Sequence, residues 1–251
     1  MDHWTEALAP THFLDWTCAT PAEDLALDEA LLEEAEAGRL PPIVRVWEPK
    51  VLNVVLGASG RVDLETNLEA CKADGIGILR RSSGGGTVLI GPGTLNLTVI
   101  VPIEISRAMR AVDEGQKETL GLLARALRRP GLDVELRGSG DLTLGDRKFS
   151  GSAQRRMKRF VLIHATILYR LDLGLIAGYL KQPSRQPDYR LGRSHAEFLT
   201  NVPLGRDEIL SSIRQAWLVD SRCPGSVRPP VEVVDRLVRE KFGDPNWICR
   251  F

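Results

Sequence analysis

The apolar positions of this chain change period several times, and each change marks an element. Leu25, Leu27, Leu31 and Leu32 share one stripe at helical spacing. Thr20 is placed to cap that helix, Pro21 suits its first position, and Glu23 completes a capping box. Gly38 ends the run and Pro41-Pro42 prevents its continuation. Short β-type runs follow at 43–47, 52–57, 76–80 and, beyond a glycine cluster, 95–101. A second helical stretch covers 113–129, with Asp113 and Gln116 spaced as a capping box and Leu120, Leu123 and Leu127 on one face. β character returns at 134–137, 147–154 and 160–171. A short helix is expected at 173–180, a loop rich in Pro, Arg and Gln at 181–195, and amphipathic helices at 207–218 and 231–242. Strands and helices interleave without a regular βαβ rhythm or an internal repeat. The expectation is therefore an α+β fold, a mixed β-sheet sandwich flanked by helices, in a single domain spanning 1–251.

Charge narrows the function classes. Lys+Arg and Asp+Glu are 33 each, for a formal net charge of +0, which argues against a nucleic-acid-binding face. No apolar run approaches the roughly 18 residues of a membrane span. The opening Met1-Asp2-His3-Trp4 lacks a basic and then apolar leader, so a cytoplasmic protein is expected. Cys18, Cys71, Cys223 and Cys249 form no CxxC pair, and the four histidines have no HxxxH spacing, which disfavours zinc. Scattered thiols of this kind read as reduced and inert, with a catalytic nucleophile among them as the sharper alternative.

Two segments carry candidate chemistry. In residues 80–88, Arg80 and Arg81 precede Ser82-Ser83, then Gly84-Gly85-Gly86, Thr87 and Val88. Successive glycines let backbone approach a ligand closely, and their exposed amides form an anion-binding concavity. Two guanidinium groups add forked donors for carboxylate or phosphate. A flexible hairpin tip is the plain alternative. The run is neither a Walker A loop nor a dinucleotide fingerprint, because no Gly-Lys-Ser/Thr and no G-x-G-x-x-G spacing is present. In the second segment Lys148 stands beside Phe149 and is followed by Ser150, Gly151, Ser152 and Ala153. Strict alternation places Lys148 and Ser150 on one face of a strand. A lysine among small neighbours suits a phosphate or a developing oxyanion; a solvated surface hairpin fits the same residues.

Taken together, these segments resemble the lipoate–protein ligases, in the superfamily shared with biotin ligases and octanoyltransferases. The family's Arg-Arg-x-Ser-Gly-Gly-Gly-x-Val loop is matched by residues 80–88. Its Asn-Asp-Leu strand and Gly-x-Lys-x-Ser-Gly-Ser-Ala element align with Asp141-Leu142 and residues 146–153. A His-Gly-Thr-Leu-Leu element followed by Asp-Leu is similar to residues 164–168 and Asp172-Leu173, and the N-terminal helix at 24–29 is similar as well. The likeness covers roughly residues 20 to 200, with a helical C-terminal part at 205–245. The chain departs from the pattern at Ile90-Gly91 (for His-Asp), Gly140 (for Asn), Ile163 (for the first of a His-His pair) and Gly57-Ala58-Ser59-Gly60 (for Gly-Arg-x-Gln).

The resemblance implies an ATP- and Mg2+-dependent enzyme that activates lipoate, or octanoate, as an adenylate. The acyl group then passes to a lysine of a lipoyl-domain acceptor, such as glycine-cleavage H protein or an E2 subunit. It implies a monomer with no nucleic-acid or membrane partner. Lys148 would bridge carboxylate and α-phosphate; the amides of Gly84, Gly85 and Gly86 would line the ligand path; Arg80 or Arg81 would hold ligand or phosphate. Ser83, Thr87, Val88, Ser150, Gly151, Ser152, Ala153, His164 and Thr166 fall in the matched binding elements, and Asp141 is the candidate Mg2+ ligand. His164 also reads as a core histidine. Val88, Leu89 and Ile167 would wall an apolar tunnel or serve as core. The arginine-bearing loop at 183–193 would close over the adenylate or dock an acidic acceptor. Three rivals stand beside this. An octanoyltransferase acts through an acyl-cysteine without ATP, but the cysteines nearest Lys148 are Cys71 and Cys223, and 132–140 contains none. A biotin ligase would carry a Gly-Arg-Gly-Arg type loop, where Arg80-Arg81-Ser82-Ser83 stands. A non-catalytic lipoate binder would explain the departures at Ile90, Gly91 and Ile163.

Overall fold

The computed structural model describes residues 12–183, 185–219 and 227–251. Cys223, and Ser184 of the arginine-bearing loop, lie outside them. The strands are β1 (His12–Asp15), β2 (Ile43–Trp47), β3 (Asn53–Leu56), β4 (Gly77–Arg80), β5 (Val88–Ile90), β6 (Thr94–Pro102), β7 (Val134–Arg137), β8 (Asp141–Leu144), β9 (Arg147–Arg156) and β10 (Phe160–Leu168). Seven form one sheet in the order β1-β2-β6-β10-β9-β8-β7, and three form a second in the order β4-β3-β5. The β1/β2 and β3/β4 pairs are parallel and the others antiparallel. The expected mixed-sheet α+β architecture is present.

Two helices, α1 (Pro21–Glu36) and α2 (Val112–Leu127), lie on opposite faces of the large sheet, joined by α3 (Arg206–Ala216) on the α2 side and α4 (Val231–Leu237) on the α1 side. Period-two alternation on β10 sorts its side chains between the layers. Ile163, Ala165 and Ile167 join the core under α2, whereas Leu162 packs with α1. His164 and Thr166, on the Leu162 face, therefore turn toward the α1 side, where the small sheet also contributes Val55 and Ile90.

The Thr20–Glu23 capping box forms as the residues predict. Sequence amphipathicity understates how deeply α1 is enclosed: Asp24, Asp28 and Glu29 are buried with its leucines. Arg45, inward on the fully buried β2, pairs with Asp24 and Asp28 and also donates to the Asp24 carbonyl. Burial pushes both carboxyls up, and the Arg45 guanidinium opposes that shift. Removing Arg45 alone would strand two buried carboxylates at a cost of about 3–5 kcal/mol. The cluster fixes α1 on the sheet.

Two local expectations are corrected. No Asp113–Gln116 capping box forms: α2 begins at Val112 without a side-chain cap, and Gln116 instead donates to Ser152 Oγ at 2.7 Å. The helix expected at 231–242 forms over that range, as α4 followed directly by one π turn, Val238–Phe242. Lys148 and Ser150 do not share a face, because a β-bulge shifts the β8–β9 register. Ser150 pairs opposite Leu142 and Ile167 of the α2-side core, while a Cβ built on Gly151 would lie 2.6 Å from Lys148 Nζ. The bulge thus moves the lysine to the face of Gly151 and Thr166, which pair across β9 and β10.

Candidate active site

A cavity of about 460 Å3 opens on that face. Lys148, Gly151, Ala153, His164, Thr166 and Asn96 form one wall, and residues from Gly86 to Ile90 form another. The segment from Lys181 to Leu199 closes one side through Arg185, Arg190, His195 and Phe198. Leu25, Val55, Val88, Leu89 and Ile90 supply an apolar part.

The glycine loop is held from inside by Arg81. Its Nε donates to Ser83 Oγ (2.9 Å), Nη1 to the Val55 carbonyl (3.3 Å), and Nη2 to the carbonyls of Gly84 (2.5 Å) and Gly86 (2.9 Å). Burial lowers Arg81 to about 10, partly offset by Glu65. With those carbonyls drawn onto the guanidinium, the amides of Gly84, Gly85 and Gly86 have no protein acceptor among the described residues. Gly85 sits at φ +85°, and a Cβ on Gly57 would lie 2.0 Å from the Gly85 carbonyl oxygen, so only glycine permits the approach of these two turns. Thr87 donates to Glu65, fixing the far end of the loop.

Ser83 Oγ lies 2.6 Å from His164 Nε2. Desolvation, reinforced by the Arg81 charge, lowers His164 to about 3, so its imidazole is neutral at ordinary pH. His164 is both an enclosed histidine and a cavity residue. Thr166 Oγ1 donates to Asn96 Oδ1 at 2.8 Å.

Across the cavity, Lys148 Nζ contacts Asp141 Oδ1 at 2.7 Å. Asp141 Oδ2 accepts from the Tyr189 hydroxyl at 2.7 Å, and Tyr189 packs on Phe198 with ring centroids 5.3 Å apart. Burial and the Asp141 charge push the Tyr189 phenol well above its usual range. The Lys148 carbonyl accepts from the Thr200 amide at 2.9 Å, pinning the bulged strand. Ser152 Oγ donates to the Gly140 carbonyl at 2.6 Å, and a Cβ on Gly140 would lie 2.2 Å from that hydroxyl. This backbone leaves no room for the asparagine that the sequence pattern expects.

Most of the candidate residues are therefore brought together. Arg81, Gly86, Thr87, Val88, Asp141, Lys148, Ser150, Gly151, Ser152, Ala153, His164 and Thr166 line the cavity, while Ser83 stands one hydrogen bond behind it. Gly84 and Gly85 are exposed and do not line it. Arg80 is turned away: it is fully buried, with its donors on the carbonyls of Gly57, Gly60, Trp247 and Ile248. Ile167 is core and walls nothing, whereas Val88 and Leu89 do line the cavity. Tyr189, Gln116 and Glu65 escaped the sequence reading. Tyr189 lies 48 residues from Asp141, and no spacing joins them.

The donor set does not make Asp141 a dedicated magnesium anchor. One oxygen faces an ammonium and the other a phenol, and no cluster of three metal-ligating side chains occurs among the described residues. No described cysteine lines the cavity. Burial and Asp24 push Cys18 up to about 12, burial also raises Cys71, and Cys249 is exposed. No helix among the described residues is long and apolar enough to cross a membrane.

Residues 20–205 match the model of the lipoyl protein ligase A/B catalytic domain. A protein named octanoyltransferase LipM from Geobacillus kaustophilus is 35% identical over 206 residues, covering 72% of this chain and 73% of that protein. A protein named "Putative lipoate-protein ligase A" from Aeropyrum pernix is 33% identical over 160 residues, covering 63% of this chain but only 58% of the relative. Among solved structures, a lipoate-protein ligase A bound with ATP superposes with a TM-score of 0.80 at 23% identity, covering 96% of this chain and 98% of that one. The bi-partite lipoate protein ligase of Thermoplasma acidophilum, described with its E2 lipoyl domain, gives 0.80 at 22% identity, with 96% of each chain covered. With the family model matching residues 20–205, the chain belongs to the lipoyl protein ligase A/B catalytic-domain family, enzymes of the lipoate ligase and octanoyltransferase type.

Proposed function

We propose that this chain is an ATP-dependent lipoate–protein ligase. It joins lipoate or octanoate to AMP and then passes the acyl group to a lysine of a lipoyl-domain acceptor. The observation that carries this reading is a cavity with an apolar part, an ammonium on its wall and no described thiol. A carboxylate oxygen attacks the α-phosphorus of ATP and the bond to pyrophosphate breaks. The acceptor amine then attacks the acyl carbonyl, loses a proton and expels AMP. Both steps concentrate negative charge on oxygens, and catalysis is mainly positioning and charge stabilisation. Lys148 supplies the positive charge. The free amide of Gly86, on the cavity wall, supplies a donor for a phosphate or acyl oxygen. Neutral His164 orients Ser83 rather than adding charge. Any magnesium enters with the nucleotide phosphates, and no step is assigned to it.

The ATP-bound ligase and the ligase described with its E2 lipoyl domain support the choice of nucleotide and acceptor by likeness of fold. The LipM relative favours a second reading, acyl transfer through a cysteine without ATP. The deciding experiment is lipoate-dependent ATP–pyrophosphate exchange. Exchange is expected in the native chain, with at least a tenfold loss in Lys148→Ala, a barrier change of about 1.4 kcal/mol or more. No exchange, together with ATP-independent octanoyl transfer that Cys223→Ser abolishes, would replace the ligase by the transferase. Exchange that appears only on adding an accessory chain would make the ligase bi-partite.

A further inference from the structure

Arg80 stands in the most recognisable motif of the chain, yet it faces away from the cavity. Its guanidinium joins two segments far apart in sequence. Nη1 donates to the carbonyls of Gly57 (2.9 Å) and Gly60 (2.7 Å). Nε donates to the carbonyls of Trp247 and Ile248 (3.0 Å each), and Nη2 donates to Ile248 at 2.8 Å. The contact is reciprocal, because Trp247 Nε1 donates to the Arg80 carbonyl at 2.9 Å. Arg250 donates to the Ala58 carbonyl at 2.5 Å and lies 4.0 Å over the Trp247 ring, while Arg80 lies 5.5 Å from the Phe251 ring centroid. Residues 245–251, which include the short helix α5 (Pro245–Ile248), therefore form a strap across the back of the 57–60 turn. That turn bears directly on the glycine loop: the Ala58 amide donates to the Ser83 carbonyl at 2.8 Å, and Gly57 abuts Gly85.

We infer that residues 245–251 are a positioning strap for the ligand loop, acting through Arg80, with Trp247 as its anchor. The strap lies outside the segment matched by the family model, which ends at residue 205. The physical reason is one of order. The Gly86 amide on the cavity wall binds an anion well only if it is already fixed, and a loop of three glycines has the largest backbone entropy to lose. Arg81 fixes the loop from the cavity side. Arg80 and the strap fix the turn on which it rests. Trp247 and Arg80 touch no cavity space, so they are positioning residues.

The test uses the full chain with Trp247→Ala and Arg80→Gln, read by hydrogen–deuterium exchange and by calorimetric binding of lipoate. The binding arm rests on the lipoate reading above; the exchange arm does not. In Trp247→Ala, the hydrogen-bonded amides of Ala58, Gly60 and Arg81 are expected to exchange at least tenfold faster while β10 and α2 keep their rates, and lipoate affinity is expected to fall at least tenfold. Arg80→Gln should give the same pattern, and the double variant should be no worse than the stronger single one, since both break one linkage. Unchanged exchange at Ala58, Gly60 and Arg81, uniform acceleration across the fold, or additive effects would each overturn the strap. If the native chain binds no lipoate, the functional reading fails and exchange alone decides the strap.

Discussion

The two walls of the cavity are built on opposite principles. On the glycine-loop side, Arg81 spends its donors on Ser83 and on carbonyls of the loop and of Val55, so its charge acts as scaffold. On the β8–β9 side, Lys148 holds one carboxylate, keeps about a quarter of its side-chain surface exposed (25%) and carries two further N–H donors that a ligand can use. One wall is finished before a ligand arrives, and the other can exchange partners. Positive charge near a ligand therefore has two meanings here. A buried guanidinium with most of its donors committed shapes backbone, whereas a half-open ammonium keeps donors free for a ligand.

That contrast can be broken by substitution. The largest effect is expected for Arg81→Gln, which leaves the carbonyls of Gly84 and Gly86 short of a charged donor. Stability should fall by about 3 kcal/mol, from two or more lost charge-assisted bonds in a buried site. Chemical denaturation measures it, and a loss below about 1 kcal/mol would mean that the loop stands without its arginine. Lys148→Ala should behave in the reverse way. Adenylate formation falls at least tenfold while stability changes by no more than about 1 kcal/mol, because Asp141 keeps Tyr189 and partial access to water. A large fall in melting temperature with this variant would make the lysine a structural member like Arg81.

A pH experiment sharpens the scaffold side. His164 is lowered from its ordinary 6.5 to about 3. The unfolded chain therefore binds the extra proton first as the pH falls. The His164 contribution to stability is present above about 6.5 and is lost progressively toward about 3. Asp24 and Asp28, raised by burial, act in the opposite sense in acid, so the informative quantity is a difference. His164→Gln should decline less steeply than the native chain between those limits in a stability–pH series. Parallel curves would mean that His164 titrates normally.

How much of this was legible in the sequence depends on how local each feature is. The α1 capping box and its leucine stripe are local, and the structure reproduces both. The loop at 80–88 was legible as a motif, and alternation on β4 allows only one of two adjacent arginines to face the cavity. Which one does so is decided by the carbonyls of residues 247 and 248, and no local pattern reports them. Period two also misplaced Lys148 against Ser150, because one bulge resets the count and leaves no mark in composition. Gln116 has the spacing of a cap, yet a half-buried hydroxyl on β9, that of Ser152, claims it. In each miss a tertiary partner outcompeted a sound local rule.

Tyr189 gives the smallest effect and the finest test of the two-wall comparison. Its hydroxyl donates to Asp141, the same carboxylate that faces Lys148, and its ring packs on Phe198. Tyr189→Phe keeps the ring and removes only that donor. Asp141 then relies more heavily on Lys148, so the ammonium is less free to turn to a substrate anion. About a threefold slowing of adenylate formation follows, roughly 0.7 kcal/mol in the barrier, with KM for the acyl substrate nearly unchanged because the cavity wall keeps its shape. If this wall were as rigid as the glycine loop, the loss of one hydroxyl would instead appear as stability, with the turnover rate untouched. Single-turnover kinetics and a denaturation curve on the same variant separate the two.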